Sequence, residues 1–415
     1  MKKTLFLTLI LVLTFCLSMG AVTLKMLVRP DEGGVIELYT KEFEKLTGVK
    51  VVVDYIGWDQ ISIKTTTALM HKGGGYDIIF IPSAEKSRFA AMGQFVDLNE
   101  WFTEDEKNEF LKSFVDYYSH EGQWIGVPWY SGGAHFVYNE KYFQDANVNP
   151  EDLSTWQDVL NASKAIVEKS NAEYAFTPSC KYPGNYYYNY GTILLAMGGQ
   201  FFDENLNPVF NTGIGVEALE LLVEGVNQGV FNPAGVSLDD YETLKIFQAG
   251  KSAFMINSTW SANQAMLPEA STVADYAKVR MIPGGKNSET GGLIYGGAFG
   301  ITKASQYKEE AVELVKLLTG TEAQMMHAIS GFNLPTRNSL FEGSRLEAIN
   351  KAWPVYGELV AQVEVGSFGP DVVWLDPFRR ALATAVQDAI SGKKTAKEAL
   401  DWAARQAIDI KSQYE

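Results

Sequence analysis

Cysteine is nearly absent from this chain of 415 residues, which carries only Cys16 and Cys180. A disulfide framework is therefore excluded, and the protein must be held by its core alone. Histidine is scarce as well. His71, His120, His135 and His327 are scattered, and none falls into HExxH or another metal-ligand spacing. Dense basic runs are missing too. With 35 Lys and Arg against 50 Asp and Glu, the formal net charge is −15. Nucleic-acid phosphates and anionic membrane surfaces need clustered cations, so both are poor partners. The balance fits a soluble, monomeric protein.

Catalytic and nucleotide motifs are equally thin. No G-x-S-x-G elbow occurs. Gly250-Lys251-Ser252 looks like the tail of a P-loop, but Lys245 stands where a glycine is required. The stretch also follows a helical segment, Tyr241 to Ala249, where a P-loop follows a strand. Gly213-Ile214-Gly215 is a fragment of a dinucleotide fingerprint and reads better as a loop before a helix. Neither a catalytic residue nor a metal ligand nor a cofactor site emerges. Cys180 reads as a buried structural thiol in preference to a nucleophile.

One long apolar run is present, at the start. Lys2 and Lys3 precede an uncharged stretch from Thr4 to Leu17, followed by the small residues Ser18-Met19-Gly20-Ala21. The run falls short of the ~20 apolar residues of a membrane span. It reads as a cleaved signal peptide over residues 1–20, with export to the periplasm or the extracellular space. Phe15 before Cys16 is too large for a lipoprotein signal. Cleavage leaves 33 basic against 50 acidic residues, a net charge of −17.

What remains is globular in composition, 46% hydrophobic and 13% aromatic, and long enough for two domains. Val22 to Val28 reads as a strand. A helix follows with Val35, Leu38, Tyr39, Phe43 and Leu46 on one face, stopped by Gly48. Val49 to Tyr55 alternates as a second strand, a polar helix begins at Asp59, and Tyr76 to Ile81 is a buried strand ended by Pro82. This β-α-β-α-β order predicts an α/β domain with a parallel sheet, and ligand sites outside the carboxyl ends of its strands. Further on, helices are expected at 156–169 and 215–227, and strands at 253–256 and 279–282. Two helices close the chain. Phe378, Ala381, Leu382, Ala385, Val386 and Ala389 share the face of the first. Thr395 and Glu398 cap the second, which presents Ala399, Leu400, Ala403, Ala407 and Ile408.

Aromatic residues gather where loops are expected: Trp58, Trp129-Tyr130, Tyr186-Tyr187-Tyr188, Trp260, Tyr295 and Trp374. Strand alternation across the tyrosine run would bury one or two of its members. A saccharide or polyol offers apolar C–H faces and a belt of hydroxyls, which call for a flat ring beneath and polar partners around the edge. The set points to such a ligand. Two alternatives stay open: a secreted glycoside hydrolase using paired carboxylates, which nothing in the sequence singles out, and a binding protein for a cation such as a polyamine. Arg29 and Arg337 argue against the second.

Several segments together resemble the extracellular solute-binding proteins of ABC transporters, in the sugar-binding branch that includes the maltose-binding protein. They are Glu42 to Val51, Tyr76-Asp77-Ile78-Ile79, Gly93 to Leu98, Gly126-Val127-Pro128 with Val137-Tyr138-Asn139, Phe247 to Met255, and Phe378 to Ile408. The resemblance implies a two-lobed periplasmic-binding-protein fold of type II, with a hinge between lobes and the ligand in the cleft. By that pattern lobe one holds 22–133 plus 297–330, and lobe two 134–296 plus 331–415. It implies a non-enzymatic receptor for a carbohydrate or polyol, partnered by membrane permease subunits. The cleft positions it points to are Trp58, Asp59, Ser83, Trp129, Tyr130, Trp260, Gly296, Gly297, Arg337 and Trp374. Glu32 and Tyr187 join them from loop position. Gly296 and Gly297 are expected to absorb hinge rotation and admit the ligand.

Overall fold

Strand β1 (Thr23–Val28) lies at the centre of a parallel trio, with β2 (Lys50–Tyr55) on one side and β3 (Ile78–Pro82) on the other. This is a computed structural model that describes residues 22–30, 34–72, 74–181, 186–331 and 333–415, without the side chains of Asp59 and 186–188. The expected signal segment and Glu32 lie outside the described residues.

Helix α1 (Val35–Thr47) joins β1 to β2 and ends at Gly48, whose φ of 76° is left-handed and whose N–H donates to the Glu44 carbonyl at 2.9 Å. Its buried face is Val35, Ile36, Thr40 and Phe43. Leu38 and Leu46, expected on that face, are exposed. Helix α2 (Trp58–Met70) joins β2 to β3, and the short α3 (Lys86–Ala90) and α4 (Lys112–Tyr117) follow.

After a small antiparallel pair at Ser119–His120 and Gln123–Trp124, strand β4 (Val127–Asn139) is thirteen residues long and buried throughout. Then come α5 (Trp156–Lys169), β5 (Tyr174–Phe176), α6 (Tyr186–Ala196), α7 (Ile214–Asn227), α8 (Asp240–Gln248), β6 (Ser252–Ser258), α9 (Thr259–Ala265), β7 (Ala277–Arg280) and β8 (Leu293–Ile301). The chain ends in α10 (Lys308–Leu318), α11 (Thr321–Ile329), α12 (Gly343–Ala352), α13 (Tyr356–Glu364), β9 (Ser367–Phe368), α14 (Leu375–Ile390) and α15 (Ala396–Lys411). The tyrosine run at 186–188 therefore opens a helix, where alternation on a strand was expected.

Among the described residues the strands run β2-β1-β3-β8-β4-β6-β5, with β9 beside β8 and β7 beside β4. β8 is antiparallel to both β3 and β4. β4 changes neighbours along its length. Val127 to Gly133 pair with β8, and Ala134 to Asn139 pair with β6 and β7. One strand thus joins the β8 side of the sheet to the β6 and β7 side.

Among the described residues, two cores are built on the sheet. The first joins the inner residues of β1, β3 and β8 to α10, and to the α8 and α9 faces. The second joins β5, α5, α6 and α7 to the two C-terminal helices. Those helices bury the expected faces, and Thr395 and Glu398 form the expected reciprocal cap, but Ile408 is exposed. The stretch from 331 onward, expected in one lobe, divides in its packing. Leu334, Leu340, Ile349 and Trp353 join the first core, while Val372 and the residues of α14 and α15 join the second.

Candidate ligand-binding site

The carboxyl ends of β1, β2 and β3 converge on Arg29, the residue that follows β1. Its side chain is buried, with 1% of the residue exposed. The guanidinium carbon stands 5.2 Å from the Trp58 ring centroid, 5.9 Å from Phe80, 5.6 Å from Trp129 and 4.8 Å from Tyr130. A cation among four rings is held by their quadrupoles. Phe80, from the middle of β3, links the cluster. It meets Trp58 edge-on at 6.1 Å, Trp129 edge-on at 6.3 Å, and stacks with Tyr130 at 6.1 Å.

Exposure separates these rings. Trp129 is 0% and Tyr130 2% exposed, whereas Trp58, at the first turn of α2, is 44% exposed. Trp58 alone among the three can offer an indole face to a solute without rearrangement. Trp129 and Tyr130 form the layer below, packed also against His327 at 4.8 and 6.0 Å. Burial, with Arg29 close by, pushes the His327 imidazole down to about 3, so it is neutral.

Ser83 follows β3, and its Oγ accepts the Gly296 N–H at 3.1 Å. Gly296 and Gly297 are extended residues of β8, neither at positive φ. A Cβ on Gly296 would stand 2.6 Å from the Phe114 ring, and one on Gly297 would run into Phe80 and Tyr130. These glycines leave room for rings that cross the strand.

A second group comes from β6 and the helices beside it. Ser258 caps α9, accepting the Ser261 N–H, and Trp260 sits in the first turn. Tyr241 meets Trp260 edge-on at 5.5 Å. Asp240, next to Tyr241, has its carboxyl pushed up to about 6 by burial. Thr259 ties this group to the middle strands. Its Oγ1 accepts the Gly133 N–H at 3.0 Å and lies 2.8 Å from His135 Nε2, while its own N–H donates to the Tyr295 hydroxyl at 3.2 Å. The Tyr295 hydroxyl in turn donates to Asn333 Oδ1 at 3.4 Å.

Of the residues singled out in the sequence, the structure brings Trp58, Ser83, Trp129, Tyr130, Gly296 and Gly297 together around Arg29 and Phe80. Trp260 stands in the second group. Asp59 is the second residue of α2 and Tyr187 the second of α6, and their side chains lie outside the described set. Arg337 and Trp374 are elsewhere. Arg337 donates through Nε to the Thr319 carbonyl at 2.8 Å, pairs with Glu109, and lies 4.0 Å over Phe110. Trp374 is buried edge-on against Phe202 and Phe378 at 5.3 and 6.1 Å in the second core. Cys180 is also buried, its thiol pushed up to about 12 by desolvation, as a structural thiol would be. Phe80, Asp240 and Tyr241 were missed, and Arg29 entered only as an argument against a polyamine. Arg29 was within reach of the strand-end rule, being the first residue past β1.

Known proteins share this architecture. The maltose-bound MalE3 of T. maritima superposes with a TM-score of 0.83, covering 94% of this chain and 100% of that one at 20% identity. A solute-binding protein of Agrobacterium vitis S4 with bound D-mannitol gives a TM-score of 0.77, covering 95% and 99% at 19% identity. Both show an α/β fold of two lobes, the type II periplasmic-binding-protein fold. In sequence, the arabinooligosaccharide-binding protein of Halalkalibacterium halodurans is 23% identical over 76% of this chain and 70% of its own length. The mannitol-binding protein of Pseudomonas aeruginosa is 23% identical over 60% of this chain and 57% of its own. The family profile described as bacterial extracellular solute-binding protein matches residues 29–325, so the chain belongs to that family of extracytoplasmic binding proteins.

Proposed function

We propose that the protein captures a neutral carbohydrate or polyol between its lobes and hands it, unaltered, to the permease subunits of an ABC importer. The observation that carries this reading is the half-exposed indole of Trp58, set above a floor that Arg29 pins from beneath. A sugar or polyol would lay its C–H face on that ring. Its hydroxyls would find partners in Asp59, Ser83, Tyr187 and Glu32, with Trp260 and Tyr241 closing from the other side. Trp129, Tyr130, Gly296 and Gly297 would shape the floor. Arg337 and Trp374 are left out of the set because their packing occupies them elsewhere.

A buried guanidinium in the floor disfavours a polyamine. The relatives named for an arabinooligosaccharide and for mannitol, and the structures holding maltose and D-mannitol, point the same way. Ligand contact with both groups would shift the population toward a closed form. The change of partners along β4 between Gly133 and Ala134 supports a lobe boundary there. Residues 1–20 would direct export and be removed, and the mature protein would act as a monomer.

Titration calorimetry against a panel of sugars, polyols and polyamines tests the reading, followed by product analysis of any binder. Binding of a neutral polyhydroxyl ligand recovered unchanged is the expected result. Turnover of the ligand, or binding of polyamines alone, overturns it.

A further inference from the structure

Helix α3 belongs to the first core through Phe89 and Ala90, while the stretch after β9 enters the second core through Val372, Trp374 and Leu375. These two pieces meet at a seam. The Lys86 ammonium donates to one oxygen of the Asp371 carboxylate and the Ser87 hydroxyl to the other. Only 3% of the Lys86 side chain is exposed, against 39% of the Asp371 side chain. The ammonium also lies 4.9 Å from the Tyr117 ring centroid.

Tyr117 extends the seam on one side. It stacks on Phe368 with centroids 3.7 Å apart and 15° between planes, and its hydroxyl donates to the Ser83 carbonyl at 2.9 Å. Phe114 meets Phe368 edge-on at 5.1 Å. Glu85 extends it on the other. That carboxylate pairs with Arg88 at 2.6 Å, and also feels Arg379 and Asp376 of α14. Charged groups and stacked rings therefore line both sides of the pair between Lys86 and Asp371.

We propose that this seam is an interlobe latch, in which Asp371 holds the buried Lys86 and so fixes the angle between the lobes before any ligand binds. A buried ammonium needs its partner. If the lobes part at the seam, Lys86 loses the carboxylate, and Tyr117 and Phe368 lose each other. The latched arrangement is favoured by those losses. The latch goes beyond the carbohydrate reading and does not depend on which ligand the protein takes.

Buried ion pairs carry an asymmetry that makes the latch testable. Removing one partner strands the other, whereas replacing both by apolar residues of similar size is close to neutral. Small-angle scattering on the ligand-free protein is the readout, with thermal unfolding as a control for folding. Asp371→Ala should raise the population of separated lobes about tenfold or more, seen as a larger radius of gyration. The double variant Lys86→Met with Asp371→Leu should return the wild-type curve. Phe368→Ala, which leaves both charges in place, should give an intermediate shift, and it serves if Asp371→Ala does not fold. Wild-type scattering from both Asp371→Ala and Phe368→Ala overturns the latch. So does a double variant more open than Asp371→Ala.

Discussion

The ring of Tyr295 lies across Gly132, its partner on the adjoining strand, so closely that a Cβ on Gly132 would stand 2.6 Å from the ring carbons. The same tyrosine receives the Thr259 N–H and donates to Asn333. Gly132 is therefore what allows one ring to join β4, α9 and the segment at 333. Gly132→Ala should displace Tyr295 and cost about 1–3 kcal/mol. Urea unfolding measures the loss. Tyr295→Phe keeps the ring but removes the hydroxyl, and it should cost less, about 1 kcal/mol.

Trp58 and Trp129 make a matched pair for dissecting binding from folding. Trp129→Ala empties a fully buried site and should cost about 3–5 kcal/mol, so any loss of binding in that variant reports the damaged floor. Trp58→Ala removes a half-exposed ring. It should cost only about 1–2 kcal/mol of stability through its contacts with Arg29 and Phe80. Its effect on binding should be the larger one, at least about tenfold in Kd for a sugar or polyol ligand. Trp58→Ala with full affinity would remove Trp58 from the site.

The parallel trio of β1, β2 and β3 was legible because its signals are local. Short apolar runs, a stop glycine at 48 and Pro82 mark β1, α1, β2 and β3 without reference to the rest of the chain. The cap at Thr395 and the apolar face of α14 are local in the same sense. Helical spacing alone was not enough for α1, where several apolar sets fit one helix and packing chose Ile36 and Thr40 over Leu38 and Leu46. In the site, Trp58 and Ser83 follow strands, where topology does the placing, whereas Trp129, Tyr130, Gly296 and Gly297, expected in loops or a hinge, lie within β4 and β8. Arg337 and Trp374 misled because their partners, Glu109 and Phe202, lie far away in sequence. The glycines of β8 were seen as special, but the rings that need them come from Phe80 and Phe114, which no spacing rule connects to 296 and 297.

Arg337 illustrates how a buried cation can be structural. Its Nε bond to Thr319, its pair with Glu109 and its position over Phe110 hold the segment after α11 to the first core. Arg337→Ala should cost about 2–4 kcal/mol, since the Thr319 carbonyl is left without this donor. Ligand affinity measured well below the melting transition should be unchanged. A selective loss of affinity with wild-type stability would put Arg337 back in the site.

His135 and His327 should set the acid side of the stability profile. Burial pushes both imidazoles down to about 3, with Arg29 adding to the effect at His327. In the unfolded chain they titrate near 6.5. Above that pH both states are neutral and the two residues contribute their full share. As pH falls from 6.5 toward 3, the unfolded chain takes up protons that the fold refuses, and stability drops by about 1.4 kcal/mol per pH unit for each imidazole. Urea midpoints between pH 4 and 7 check this. His327→Phe, which preserves a ring against Trp129 and Tyr130, should flatten the slope by about half of the histidine contribution. If the slope of the His327→Phe variant matches the wild type, protonation of His327 is not what the acid limb reports.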